Sequence, residues 1–304
     1  MKPKKYLIVI AGPTAVGKTE LCIELAGKLS SDIISADSRQ FFKELSIGTA
    51  KPTNEELSAA KHHFIDFITI AEEFSAGKFE LAVLELLSKI FKESDTVLMT
   101  GGSGLYIQAV CKGMNDIPEV DLSFRKELYE ELDIHGLNPL LEELKVKDPQ
   151  YHQHVDRSNP QRIIRALEIC RGIGEPYSVF RTDQNVERNF ETIKIGLELD
   201  RDELFKRIDT RVDHMIEAGL IDEAKQYYKQ RHFNALKTVG YKEIFAYLDE
   251  EYDLDEAIRL IKRNTRRYAK RQLTWFKKDQ EFTWFQPADI DGILNHIQSR
   301  IAEN

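Results

Sequence analysis

Cysteine is scarce in this sequence: Cys22, Cys111 and Cys170 are the only three in 304 residues. They are far apart, odd in number and nowhere spaced as CxxC, which argues against a disulfide framework or a zinc cluster. A reducing cytoplasm is the expected location. No run of about 18 apolar residues occurs, so no membrane-spanning helix is expected. The basic start, Met1 to Lys5, precedes an apolar run, Tyr6–Ala11, that is too short for a secretory signal. Internal repeats and low-complexity tracts are absent. Positive charge is also in deficit, with a net charge of −8, which argues against a wholesale polyanion binder. One segment reverses that balance. Lys262 to Lys278 holds eight Lys/Arg and no acid, and with it set aside the remainder carries −16. A basic stripe on an acidic body points to a directed anionic contact. Hydrophobic residues at 42% and charged residues at 31% describe a soluble globular chain.

Short apolar runs alternate with helical patterns in the first third. Tyr6–Ala11 reads as a buried strand, Thr19–Leu29 as a helix and Asp32–Ser35 as a second strand. A helix over roughly Glu80–Phe91 leads to a strand at Thr96–Met99 that ends in Gly101-Gly102. This rhythm predicts an α/β core, a parallel sheet flanked by helices, and the GxxxxGK[ST] match at Gly12–Thr19 between its first strand and helix makes it P-loop NTPase-like. From about Gly113 to Asn189 the pattern is helical and broken by five prolines. Strand pattern returns at Thr192–Leu199, before a helix at Asp202–Ala218 and a helical C-terminal region. The expected organisation is therefore a core of residues 1–112 and 190–304 interrupted by a helical insertion of residues 113–189. Asp253, with Glu256 three residues on, has capping-box spacing for one C-terminal helix.

Gly12-Pro13-Thr14-Ala15-Val16-Gly17-Lys18-Thr19 matches GxxxxGK[ST] in full, after a strand and before a helix. Such a loop turns successive N–H groups toward phosphate oxygens, and the helix N-terminus adds positive potential. Lys18 supplies a point charge, and the Thr19 hydroxyl is placed to ligate Mg²⁺ together with phosphate oxygens. The motif alone does not say whether the phosphate belongs to ATP. Asp37 follows the second strand, at the edge where ligands of open α/β sheets bind. As a residue it fits a general base, a group behind a metal, or a helix N-cap. The third strand ends in Thr100-Gly101-Gly102-Ser103-Gly104 with no aspartate, which argues against ordinary ATP hydrolysis. Its glycines fit either close approach by a ligand or a tight strand-to-helix turn.

The cations at 262, 263, 266, 267, 270 and 271 repeat at four and cover about half a helix circumference. Ile258, Ile261, Tyr268, Ala269 and Phe276 occupy the other side, suited to the core. Asn159 as N-cap and Pro160 at the first position start another helix, with Arg162 and Arg165 on one face. His62 and His63 are adjacent and would point to opposite faces of a strand, so they read as structural. Trp275 and Trp284 read as packing residues.

Taken together, these residues resemble the bacterial tRNA dimethylallyltransferase (tRNA isopentenyltransferase) family. The blocks are Gly12–Thr19, Ser35-Ala-Asp-Ser-Arg-Gln40, Gly48-Thr-Ala-Lys-Pro52, His62-His-Phe-Ile-Asp66 and Gly101-Gly-Ser-Gly-Leu-Tyr106. Asn159 to Glu168, Arg211-Val-Asp-His-Met215, Val239-Gly-Tyr-Lys242 and Arg266 to Trp275 follow in family order. Ser103 stands where the family more often has Thr, Phe64 replaces a usual Leu, and the eukaryotic Cys/His zinc module is absent. The resemblance implies transfer of a dimethylallyl group from dimethylallyl diphosphate to N6 of the adenosine 3′ of the anticodon, in tRNAs reading codons beginning with U. It implies Asp37 as base for a poorly nucleophilic amino group, with the phosphate loop, Lys18, Arg211 and a Mg²⁺ at Thr19 receiving the leaving diphosphate. The acceptor base would be flipped from the anticodon loop. The implied tRNA contacts are Asp37, Ser38, Arg39, Gln40, Ser103, Arg125, Gln161, Arg162, Ile163, Ile164, Arg165, Arg266, Arg267, Lys270 and Arg271. No membrane and no obligate protein partner are implied, and a monomer is expected. Three rivals share some of these features. A P-loop kinase would not need the basic helix, an adenylate isopentenyltransferase would prefer a free nucleotide, and an RNA-binding regulator would not need the intact Lys18-Thr19 and Asp37.

Overall fold

The computed structural model describes residues 4–115, 117–181 and 186–303. The chain divides into two compact units, residues 1–112 with 187–304, and residues 113–186. In the larger unit, β1 (Tyr6–Ala11) leads into α1 (Lys18–Leu29), β2 (Ile33–Ser35), α2 (Asn54–Ala59), β3 (His62–His63), α3 (Ala76–Ile90), β4 (Thr96–Gly101) and α4 (Gly104–Lys112). The smaller unit holds α5 (Leu122–His135), α6 (Leu137–Lys147), α7 (Pro149–His154) and α8 (Pro160–Ile173). The larger unit then resumes with β5 (Glu191–Leu197), α9 (Arg201–Glu217), α10 (Leu220–Gln226), α11 (Tyr241–Leu248), α12 (Leu254–Phe276), β6 (Phe282–Phe285) and α13 (Ile290–Ala302).

The six strands are parallel in the order β3-β2-β4-β1-β5-β6. Ile8 sits opposite Leu98 on one side and Ile193 on the other, so β1 is the sheet's centre. Strand alternation divides its side chains between two cores. Leu7, Val9 and Ala11 join Phe41, Phe79, Ile261 and Phe276, whereas Tyr6, Ile8 and Ile10 join Leu21, Leu25, Ile293 and Ile297. Both faces are covered, which is why β1 reads as a continuous apolar run.

Two edge strands escaped the sequence reading. The two residues of β3 are too short for a periodic signal, and their side chains are only half-buried. His63 Nε2 lies 2.7 Å from Asp32 Oδ2 and His62 Nδ1 lies 2.8 Å from Ala60 O, so both imidazoles are braced by protein. The aromatic β6 pairs with β5 from Lys194 opposite Phe282 to Leu197 opposite Phe285. Helix α3 begins four residues earlier than expected because Ser75 caps it, accepting Lys78 N–H at 3.2 Å. Asp253 does cap α12 through Glu256 N–H at 2.8 Å, but the Glu256 side chain turns to Arg259 and the capping box is not completed.

In the smaller unit, Leu128, Leu140, Leu144, Ile163, Ile164 and Leu167 form a core of their own. The buried Asp148 ties α7 to the segment after α8, accepting Tyr151 N–H at 2.9 Å and Ser178 N–H at 2.7 Å.

Candidate active site

Strands β2, β4 and β1 are neighbours, so the loops leaving their C-terminal ends lie side by side. After β1 comes the phosphate loop, after β4 the Gly101–Gly104 turn and after β2 the segment with Asp37. The loops after β1 and β2, with parts of α9, the loop before α11 and α12, line a cavity of about 860 Å³, and the turn after β4 backs them. Thr14, Lys18, Thr19, Asp37, Arg211 and Arg271 are among its walls.

The phosphate loop has the backbone its sequence requires. Gly17 lies at φ 104°, where a side chain is strained, and a Cβ at Gly12 would stand 2.8 Å from Leu197 O. Val16 is fully buried and packs in the core on that side of the sheet, which anchors the loop. Lys18 Nζ donates to Gly12 O at 3.0 Å and Pro13 O at 2.7 Å. Burial pushes its ammonium down to about 8, Arg211 adds repulsion, and Asp37 opposes both. Arg211 NH1 donates to Thr14 Oγ1 at 3.1 Å, and burial lowers its guanidinium as well. This wall is a set of desolvated cations and backbone donors, the surroundings an oligophosphate anion needs.

The opposite wall is knit together. Asp37 Oδ1 accepts Arg39 N–H at 3.0 Å, and among the described residues Oδ2 makes no hydrogen bond. Ser103 Oγ accepts Ser38 N–H at 3.0 Å and sits 3.1 Å from Ser38 Oγ. Arg39 and Gln40, expected to contact tRNA, are occupied as braces. Arg39 NH1 donates to Asn234 O at 2.9 Å and Ala235 O at 3.2 Å. Gln40 Nε2 donates to Ala50 O at 3.1 Å, and its Oε1 accepts from Ser35 Oγ at 3.2 Å. Both residues still border the cavity.

The basic stripe is not one surface. Lys262 pairs with Asp213 at 2.6 Å, and Arg266 pairs with Asp209, both carboxylates being on α9. Arg266, expected among the tRNA contacts, is thus drawn toward α9 while its side chain stays partly exposed. Arg267 and Arg271 border the cavity, and Lys270 is exposed. The expectation that Tyr268 packs in the core also changes, since it forms part of the cavity wall. Burial and the nearby Asp37 push its phenol up to about 12.

Gln272 was overlooked. It is buried on the apolar side of α12; its Oε1 accepts Thr14 N–H at 2.9 Å and its Nε2 donates to Gly102 O at 3.0 Å. One side chain therefore joins the phosphate loop, the β4 turn and the basic helix. The signal was an amide in the buried stripe of Ile261, Ala269 and Phe276, three residues after Ala269 and four before Phe276. A Cβ at Gly102 would overlap Gln272 Nε2, so the glycines after β4 admit a helix rather than a ligand.

Within the smaller unit, Gln161 and Arg162 are exposed on α8, which Asn159 caps through Arg162 N–H at 3.3 Å. Arg125 Nε donates to Glu168 Oε2 at 3.1 Å, and Arg165 pairs with Glu168 Oε1 at 3.2 Å. The buried Glu168 thus anchors two of the expected tRNA contacts. Ile163 and Ile164, expected among the tRNA contacts, have their side chains in the core of this unit, away from its surface.

A parallel sheet with a phosphate loop at its centre and an acid at the end of β2, one strand beyond β4, defines a P-loop-like α/β protein with a helical insertion. The model of the IPP transferase family matches residues 40–279, and the chain belongs to that family. It is 50% identical over 295 residues to tRNA dimethylallyltransferase 2 of Parabacteroides distasonis, covering 97% of this chain and 99% of the relative. It is also 50% identical to the tRNA dimethylallyltransferase of Cytophaga hutchinsonii, over 98% of both chains. The crystal structure of the tRNA isopentenylpyrophosphate transferase of Bacillus halodurans superposes with a TM-score of 0.73 at 39% identity, over 99% and 98% of the two chains. A eukaryotic dimethylallyltransferase acting on tRNA gives 0.77 at 27% identity, over 97% of this chain and 77% of the other.

Proposed function

We propose that this chain transfers a dimethylallyl group from dimethylallyl diphosphate to N6 of the adenosine 3′ of the anticodon, in tRNAs reading codons beginning with U. The observation that carries this reading is the division of one cavity between a cationic phosphate loop after β1 and an aspartate after β2. The adenine N6 lone pair attacks C1 of the allyl group. The C1–O bond breaks, diphosphate leaves, and the N6 proton passes to Asp37. Asp37 Oδ1 is held by Arg39 N–H, which leaves Oδ2 for that proton. Lys18, Arg211 and the loop N–H groups receive the charge that grows on diphosphate.

The hydroxyl of Thr19 and the carboxylate of Asp37 border the same cavity. A donor set of few, hard oxygens fits Mg²⁺, which keeps water and takes substrate phosphate oxygens. Thr19 is the residue that would hold it, and the ion would neutralise charge on the diphosphate. No helix among the described residues is long and apolar enough to cross a membrane. We place the protein in the cytoplasm, acting as a monomer.

The test mixes the protein with Mg²⁺, radiolabelled dimethylallyl diphosphate and unmodified tRNA, with AMP and ADP as parallel acceptors. Label in tRNA alone is expected. Label in the free nucleotides, or ATP consumption without transfer, overturns the reading.

A further inference from the structure

Helix α12 carries an aromatic among its cations. Arg267, Arg271 and Trp275 succeed one another at four-residue spacing, so they lie along one face of the helix. Arg267 and Arg271 border the main cavity, and Trp275 comes one turn later, about 6 Å further along the axis. Trp275 is 40% exposed and so does not fill the core, unlike Trp284, which packs against it. Its indole edge rests against Gly104, where a Cβ would overlap Cδ1 and Nε1. That contact seats the ring on the turn that also carries Ser103, the residue bonded to Ser38 beside Asp37.

A second hollow of about 350 Å³ opens beside the ring. Ile107 and Phe282 give it apolar walls, and Gln108, Lys112 and Lys278 give it polar ones. Lys112 and the buried Lys194 are balanced by Asp279 and Glu281. Lys278 has no ion pair, and the Gln108 side chain no hydrogen bond, among the described residues. An exposed indole, a free amide and an unbalanced ammonium form the set that takes an unpaired nucleobase: a stacking face, an edge partner and a phosphate partner.

We infer that Trp275 and this hollow bind a nucleobase next to the one modified, holding the RNA across the Ser103–Gly104 turn while its neighbour enters the Asp37 cavity. The inference rests on the proposed RNA acceptor. A ring needed only to cover Gly104 would gain nothing from its exposure or from the hollow.

The two tryptophans make a direct test possible. In the Trp284→Phe variant of the full chain, all indole emission comes from Trp275. An unmodified tRNA anticodon stem-loop should quench that emission at saturation. An abasic site at one neighbour of the acceptor adenosine should abolish the quench while leaving binding measurable. In the otherwise native chain, Trp275→Ala should weaken stem-loop binding about ten- to a hundredfold, and Trp275→Phe should retain most of it. Pyrophosphate binding and the melting temperature of Trp275→Phe should not move. Stem-loop bound at native strength by Trp275→Ala, with unquenched emission from Trp275 in the Trp284→Phe chain, overturns the inference and leaves the acceptor reading intact. Failure of the native chain to bind the stem-loop at all overturns the acceptor reading itself.

Discussion

The two walls of the main cavity are built on opposite plans. On the phosphate-loop wall, Lys18 and Arg211 are desolvated cations whose partners are neutral, the carbonyls of Gly12 and Pro13 and the hydroxyl of Thr14. On the facing wall, Arg39, Gln40, Ser38 and Ser103 spend their polar groups on one another and on the backbone. Only Asp37 keeps an oxygen uncommitted among the described residues. The first wall awaits charge, and the second holds shape around a single reactive group. This division suits a reaction that must receive a strongly charged leaving group and position a neutral base.

Experiments that act on one wall and not the other sharpen the contrast. Asp37→Asn has the largest expected effect, lowering turnover by about 10²–10⁴-fold while pyrophosphate and tRNA still bind. Loss of pyrophosphate binding in that variant would break the division. Lys18→Ala should weaken pyrophosphate binding about ten- to a hundredfold, the worth of a charged hydrogen bond, with tRNA affinity unchanged in a filter assay. The pH dependence follows from the same lysine. The free protein holds its ammonium near 8, and the ligand needs the protonated form, so pyrophosphate affinity should fall as pH rises through about 8. Protons should be taken up on binding near that pH, a signal that calorimetry in two buffers reads and that Lys18→Ala should erase.

The basic helix allows a finer test. Replacing Arg267 and Arg271 by Ala should flatten the salt slope of tRNA binding by about 2, one for each lost phosphate contact. Replacing Lys262 and Arg266, which are paired to Asp213 and Asp209, should change it far less. Equal slopes for the two double variants would mean that ion pairing does not distinguish the halves of the helix. The smallest effect is expected for Ser103→Ala, which removes one brace of the acceptor wall and should cost about 0.5–1.5 kcal/mol in a denaturant midpoint.

Much of this was legible along the chain. The apolar runs of β1, β2, β4 and β5 are local signals, as are the capping residues Asn159 and Asp253 and the glycines of the phosphate loop. What failed depended on a distant partner or on which side of a helix faces the core. The eight cations of residues 262–278 look alike in sequence, and the acids that separate them lie some fifty residues upstream on α9. Arg162 and Arg165 share one face of α8, yet a buried Glu168 holds only the second. Ile163 and Ile164 sit within a block that resembles a contact surface, but helical periodicity turns them inward. Trp275, expected to pack, remains at the surface, while the amide of Gln272 enters the core.

By itself, then, the sequence determined the sheet's central strands, the phosphate loop and the acid on the next strand, because each is encoded in a few consecutive residues. Tertiary structure decided which cations stay unpaired, which polar side chains brace a wall, and which face of α12 meets the phosphate loop. Those outcomes depend on charges and hydrogen-bond partners brought together from positions as much as 258 residues apart, as between Thr14 and Gln272. Burial leaves such groups no water to satisfy them, so the partner that the fold supplies fixes their role.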